Sequence, residues 1–186
     1  QVFAVPLPAE ETPFSLSEVP PERRIHEMGF YFPLNAVPPE TLQDIFSRRG
    51  QGRIPEVFPE RLGRLAYSPA AGFMKGYVDL VFEHRGKFFL IDWKSNFLGM
   101  RPEDYHGDAL TRAMLDGYYF LQYYLYTLAL DRYLAARVPG YRFEDRFGGV
   151  FYLFLRGIDA ARGPAFGIFG DIPDRRIIRA LRAALI

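Results

Sequence analysis

Gly76-Tyr77-Val78-Asp79-Leu80-Val81 and Ile91-Asp92-Trp93-Lys94-Ser95-Asn96 are the stretches whose reading decides the fold. They belong to the largely apolar runs 72–82 and 88–94, which carry β-branched and aromatic residues. They flank His84-Arg85-Gly86-Lys87, a hairpin signal. Each run carries charge: Asp79 in the first, Asp92 and Lys94 in the second. Such groups are costly to bury without a partner. With Arg85-Gly86 as a two-residue turn, Asp79 lies across from Asp92. Opposed Cβ atoms in an antiparallel pair are about 4.5–5.5 Å apart. Asp92 and Lys94 are two apart and share a strand face. Two acids and one amine therefore meet in a cluster.

That cluster has two readings. In one it is a structural acid pair balanced by Lys94. In the other a hard divalent cation lies between the carboxylates. Oxygen ligands suit Mg²⁺, with Mn²⁺ or Ca²⁺ as substitutes. A cation there acidifies a water and offsets charge on a phosphodiester. Lys94 then orients the water or neutralises developing charge. Facing negative charges also predict that Asp92→Asn leaves the metal-free fold at least as stable.

Working outward, residues 1–24 are rich in Pro and acidic residues and read as an extended arm or linker. The domain proper is expected over 25–186. A first strand is expected over 25–34 and a short helix over 40–49, started by Pro38-Pro39 and stopped by Gly50 and Gly52. Residues 51–72 read as irregular. Strands are expected over 72–82, 88–94 and 147–155, with a polar connection over 95–108. A long helix is expected over 109–138, with Asp108 as N-cap and Pro139-Gly140 as stop. A terminal helix over 174–185 carries Ile177, Ile178, Leu181 and Leu185 on one face. On the long helix, Gln122 and Tyr126 are four apart and share a face. They point to water, phosphate or a carboxylate, or simply to groove packing. The other tyrosines of that helix read as core.

The bulk numbers exclude more than they assert. At 186 residues the chain fits one domain, and 49% hydrophobic residues suffice for a core. With no cysteine, disulfides, thiolate zinc sites, iron–sulfur clusters and thiol catalysis are excluded. No apolar run approaches the ~20 residues of a membrane span, and no signal segment is visible. A cytoplasmic protein without membrane association is expected. Net charge is +1, so DNA contact needs a local basic patch. Arg48-Arg49, Arg61, Arg64, Lys75 and Arg101 are candidates, and so is the stripe Arg175-Arg176, Arg179 and Arg182. A solvated face, or for the stripe a partner surface, is the alternative. His26, His84 and His106 read as ordinary histidines.

The order Asp79…Asp92-x-Lys94 on a hairpin resembles the PD-(D/E)xK nuclease superfamily. Further blocks are Leu121-Gln122-Tyr123-Tyr124-Leu125-Tyr126-Thr127-Leu128-Ala129-Leu130 and Gly148-Gly149-Val150-Phe151-Tyr152-Leu153-Phe154-Leu155-Arg156-Gly157. With the two hairpin strands, they are similar to the RecB family of C-terminal nuclease domains over about residues 20–186. The resemblance implies an α/β fold: a restriction-endonuclease-like central mixed β-sheet flanked by helices. It implies Mg²⁺-dependent hydrolysis of DNA in double-strand break repair and recombination. It also implies partners: DNA, a helicase region of the same full-length chain, other subunits of a RecBCD-like complex, and a recombinase. By matching positions, Asp79, Asp92 and the Trp93 carbonyl hold metal, Lys94 is catalytic, and Gln122 and Tyr126 match a Gln-x-x-x-Tyr motif.

Two departures follow. The family's metal-binding histidine lies upstream and has no match, so the chain reads as truncated after it. Gly29 stands where relatives carry an acid. The fragment is therefore expected to cleave DNA poorly or not at all. The rival expectation is a catalytically silent module that binds DNA or partner subunits.

Overall fold

The computed structural model describes residues 2–8, 12–48 and 52–186. Its centre is a mixed five-stranded sheet. The strands are β3 (Arg24–Leu34), β4 (Gly72–His84), β5 (Lys87–Lys94), β6 (Phe147–Phe154) and β7 (Ile168–Asp171), in that spatial order. All neighbours are antiparallel except β5 and β6, which are parallel. The expected α/β architecture is present. Arg85 and Gly86 form the β4–β5 turn at φ 49° and 78°, the left-handed pair that matches strand twist.

Helices pack on one face: α1 (Pro39–Ser47), α2 (Phe58–Gly63), α3 (Asp108–Asp116), α4 (Tyr119–Arg137) and α6 (Arg175–Leu185), with the short α5 (Phe143–Arg146) leading into β6. The helix α1 is one and two residues offset from the expected 40–49. Its expected stop at Gly50 lies outside the described residues. The segment 51–72 is not wholly irregular, because α2 buries Phe58 and Leu62 against the core.

The expected continuous helix over 109–138 is two helices. Tyr118 adopts φ 53° between α3 and α4. Gly117 makes the break possible: a Cβ there would fall 2.6 Å from the Tyr119 ring. Asp108 is the first residue of α3 rather than its cap, and Gly107 takes the cap position at φ 51°. The periodicity of apolar residues continues across the break, which hid it.

The described part of the Pro-rich arm packs against the other sheet face. It contains a two-stranded ladder, β1 (Pro6–Leu7) with β2 (Phe14–Ser15), and short 3₁₀ turns. Val5, Leu7, Phe14, Leu16 and Val19 are buried against Leu80, Phe82, Phe89, Ile91, Phe151 and Leu153. Arg24 clamps the end of the arm, its Nη2 donating to the Leu16 carbonyl at 2.7 Å.

The two cores reveal a crossing in β4. Val78 belongs to the core beneath the helices, Leu80 to the core beneath the arm. An uninterrupted strand would put both on one face. The β3–β4 register runs His26↔Leu80, then Met28↔Val78, omitting Glu27 and Asp79. Glu27 has φ 50°. Both strands thus reverse their facing at one rung. Beyond it, β4 leaves β5 and continues with β3 as a two-stranded ribbon.

The arm's contribution is measurable. Phe14 sits against the rings of Phe82, Phe89 and Phe151 at 5.9, 5.2 and 6.5 Å. Phe14→Ala should lower unfolding free energy by about 3–5 kcal/mol in urea melts. A loss within ~0.5 kcal/mol would show the arm detached in solution.

Candidate functional site

The crossing rung frees Asp79. In a two-residue hairpin, hydrogen-bonded pairs alternate, and the pair after Leu80↔Ile91 would join Val78 to Trp93. The ladder stops at Leu80↔Ile91, and the Trp93 N–H donates to Asp79 Oδ2 at 2.8 Å instead. A side chain has replaced a backbone acceptor. The Asp79–Asp92 rung is therefore not a ladder pair, although the hairpin register leading to it is as expected. The two carboxyls remain close enough that Asp79 pushes the Asp92 carboxyl up.

Asp92 and Lys94 both face α4 and are buried, as their spacing requires. Lys94 Nζ lies 2.6 Å from Asp92 Oδ2 and donates to Gln122 Oε1 at 2.9 Å. It also stands 3.8 Å over the Tyr119 ring and 5.0 Å from the Tyr152 ring centre. Gln122 Oε1 accepts a second bond from Tyr152 OH at 2.9 Å, and Gln122 Nε2 donates to Tyr126 OH at 3.0 Å. One amide thus ties the ammonium to two phenols and its orientation is fixed by its partners. The break at Tyr118 sets this up, because it places Gln122 in the first turn of α4, its N–H on the Tyr118 carbonyl.

The electrostatics follow from burial. Desolvation raises the Asp92 carboxyl above its ordinary value. The Lys94 hydrogen bond and charge pull it down, and Asp79 pushes it up. Burial, then Asp92 and Asp79, push the Tyr126 phenol to about 12. The Tyr152 phenol is raised further, again chiefly by burial. Both phenols stay protonated near neutral pH. Because the folded state holds the Asp92 proton more tightly than the unfolded chain, Asp92 contributes stability at low pH. That contribution is lost as pH rises through its elevated range.

Asp79, Asp92, Lys94, Gln122 and Tyr126 are thus gathered at one end of β5. Tyr119, Tyr152 and Asn96 were not singled out as site residues. Asn96 bonds the Tyr119 hydroxyl at 3.2 Å. Tyr152 lay in a strand that reads as core, and its contact with Gln122 crosses from sheet to helix. No local signal marks it.

Whether the donors suit a cation depends on their number. Among the described residues, no group of three or more His, Cys, Asp and Glu could hold a metal. Two carboxylates remain, Asp79 and Asp92. Such a set suits a hydrated Mg²⁺, which keeps several waters and takes one or two carboxylates. It does not suit a fully caged ion.

The histidines lie in other settings. His84 stacks on Phe14 at the turn end of the sheet, with burial lowering its imidazole. His106 bridges to Phe166. His26 lies on β3, paired with Leu80. Gly29 pairs with Tyr77 and lies on the ribbon face opposite Met28, whose side chain is in the helix-side core. A side chain at 29 would point away from that core.

Each arginine of the α6 stripe has a carboxylate partner, and two of them share one. Arg175 and Arg179 meet Glu144, Arg176 meets Asp174 at 2.9 Å, and Arg182 meets Asp131 at 3.5 Å. Arg61 pairs with Asp116, Arg64 with Glu60, and Arg101 with Asp104. Arg48 is exposed, Lys75 lies over the Tyr77 ring, and Arg49 falls outside the described residues. Among the described residues, no helix is long and apolar enough to cross a membrane.

No family profile matches the chain. Curated relatives do. The chain is 40% identical over 175 residues to the RecBCD enzyme subunit RecB of Escherichia coli, covering 92% of this chain and 14% of that protein. It is 48% identical over 117 residues to RecB of Haemophilus influenzae, covering 63% of this chain and 10% of the relative. It is 31% identical over 200 residues to RecB of Mycobacterium tuberculosis, covering 94% and 18% respectively. The chain thus spans under a fifth of the length of these relatives.

The position of Lys94 reverses the expectation for Asp92→Asn. Relief of facing negative charge is outweighed by a buried ammonium that keeps Gln122 Oε1 and two aromatic faces but loses its contacting carboxylate, a change that costs about 3–5 kcal/mol. In metal-free buffer near pH 7, Asp92→Asn should lower stability by about 3 kcal/mol, and Asp92→Asn/Lys94→Met should recover most of it. Equal losses in both variants, by thermal or urea melts, would contradict this.

Proposed function

The chain is a homologue of the RecB subunit of RecBCD enzymes, and from that premise we propose that it is a metal-dependent nuclease domain hydrolysing DNA phosphodiesters. The observation that carries the reading is the cluster at the end of β5, where Asp92, Lys94 and Gln122 are joined within 2.6–2.9 Å beside Asp79. Asp79 adds to the buried ion pair a second carboxylate whose charge raises Asp92, and a cation between the two would offset both.

The side chains divide the work. Asp79 is held by the Trp93 N–H through Oδ2, leaving Oδ1 for a ligand. Asp92 offers Oδ1 likewise, since Oδ2 is on Lys94. A bound Mg²⁺ supplies charge neutralisation and a more acidic water there, with Mn²⁺ or Ca²⁺ able to substitute. Lys94, fixed by Gln122 and the two aromatic faces, presents an ammonium where negative charge grows on the reacting phosphate. Gln122 keeps that ammonium from collapsing onto Asp92 alone, and Tyr126 and Tyr152 hold Gln122. Tyr126 is a positioning residue in this scheme.

The wider setting belongs to the same proposal. The chain acts in double-strand break repair and recombination, within a longer protein carrying a helicase region and alongside other subunits of a RecBCD-type complex. A recombinase partner is a further part of that reading.

A second reading has one observation in its favour. Two carboxylates without a third ligating side chain among the described residues make a weak cation site. A catalytically silent module binding DNA or subunits would tolerate that. Calorimetry with Mn²⁺ or Ca²⁺ separates the two. Stoichiometric heat that vanishes in Asp79→Ala and in Asp92→Ala is expected for the nuclease. No heat in the unaltered chain would favour the silent module.

Lys94→Ala in the full-length protein should abolish cleavage of a labelled oligonucleotide, by at least about 10²-fold, while the calorimetric titration persists. An unchanged rate would remove Lys94 from the mechanism. Because protons compete with the cation for Asp92, cation affinity should fall as pH drops into the raised carboxyl range.

A further inference from the structure

A depression of about 470 Å³ opens beside the site, between the 97–102 loop and the 156–162 turn. Three arginines line it, Arg101, Arg156 and Arg162, against one carboxylate, Asp159. Arg162 is paired with Asp159, and Arg101 with Asp104. Arg156 is different. Its Nε donates to the Ser95 carbonyl at 3.0 Å, one residue beyond Lys94, and among the described residues it meets no carboxylate. Its side chain is exposed, and its terminal nitrogens remain available.

The loop on the opposite rim is built to present an aromatic ring. Asn96 is held by the Tyr119 hydroxyl, and the Leu98 N–H donates to the Tyr105 hydroxyl at 3.1 Å. Phe97 lies between these anchors and is 61% exposed, and Met100 is 88% exposed. Burying that ring in the core would have been the favourable default. A fixed guanidinium and an outward ring on the two walls of one depression match a chain of alternating phosphates and bases. An acidic peptide would use the arginines but has little use for the ring.

We propose that this depression holds the nucleic-acid strand that continues from the reacting phosphate, Arg156 on a backbone phosphate and Phe97 on the face of a base. This rests on the reading of the adjoining site as one for DNA phosphodiesters. The direct link is short: Lys94, Ser95 and Asn96 are consecutive, with Arg156 on the second and the Phe97 loop leaving from the third. A strand gripped here is fixed in register against Lys94. Neither residue touches the reacting atoms, so both act by positioning.

The test uses binding without cleavage. A fluorescent thymidine 20-mer is titrated with the chain in EDTA, followed by anisotropy, at several salt concentrations. Arg156→Ala should weaken binding and reduce the salt slope by about 0.7, the share of one phosphate on a single strand. Phe97→Ala should weaken binding about five- to a hundredfold with the slope unchanged, and Phe97→Trp should restore it. Arg64→Ala, altering an exposed pair on α2, should change neither.

Binding by both Arg156→Ala and Phe97→Ala that matches the unaltered chain would overturn the inference. So would absence of binding by the unaltered chain, or competition by polyglutamate as strong as by unlabelled oligonucleotide. None of those outcomes bears on the cation, which calorimetry decides separately. If calorimetry shows no cation but the two variants lose binding as expected, the strand site stands and the nuclease reading falls.

Discussion

The hydrogen bond from the Trp93 N–H to Asp79 Oδ2 is the constraint on which the site depends. It marks where β4 stops pairing with β5 and turns off with β3. Without it, a backbone amide at the end of the sheet would need another acceptor, since buried donors are costly to leave unpaired. The same bond pins one carboxylate beside Asp92. One side chain thus serves as the acceptor for a backbone amide and as a second acid near Asp92. The reversal of facing at Glu27 and Asp79 is what makes this possible: it allows β4 to fill the arm-side core with Leu80 and Phe82 and the helix-side core with Val78.

The second organising element is Gln122. Its carbonyl oxygen receives Lys94 and Tyr152, and its amide nitrogen reaches Tyr126. Gln122 thus joins sheet and helix within a largely apolar interface, where the Tyr123 hydroxyl donating to Asp171 Oδ2 at 2.7 Å is another polar link. A buried ammonium is tolerable there because a carboxylate, an amide oxygen and two aromatic faces surround it. The start of α4 must come at Tyr119 for this to work, and the left-handed residue at 118 sets that start. The site is thus held by backbone irregularities at two points, Asp79 and Tyr118. Regular elements alone would not have produced it.

The charge distribution sorts the arginines by role. Those of α6 are paired with Glu144, Asp174 and Asp131 and serve the fold's periphery. A stripe for which nucleic-acid contact was one expectation is paired with Glu144 and Asp131 from other segments and with Asp174 at the N-cap of its own helix. Arg156, which carried no signal beyond its strand block, is the arginine tied to the end of β5. Net charge near zero therefore coexists with a locally positive surface next to the candidate site.

The sequence alone determined four strands of the central sheet but not β7, together with the hairpin turn and the placing of Asp92 and Lys94 on one face, because periods of two and a left-handed Arg-Gly turn are local properties. It also determined the resemblance, through four blocks whose spacing is specific. Tertiary structure decided the rest. Whether the long apolar helical pattern was one helix or two depended on the Tyr119 ring meeting Gly117. That the described part of the Pro-rich arm is a layer of the core depended on a sheet face that sequence does not display. Which tyrosines met the lysine depended on contacts between residues tens of positions apart, and so did the pairing of Arg61 with Asp116 and Arg182 with Asp131, whereas Arg64–Glu60 and Arg101–Asp104 are local pairs. Local pattern fixes what each segment prefers; burial and pairing across the fold fix which polar groups are left to do chemistry.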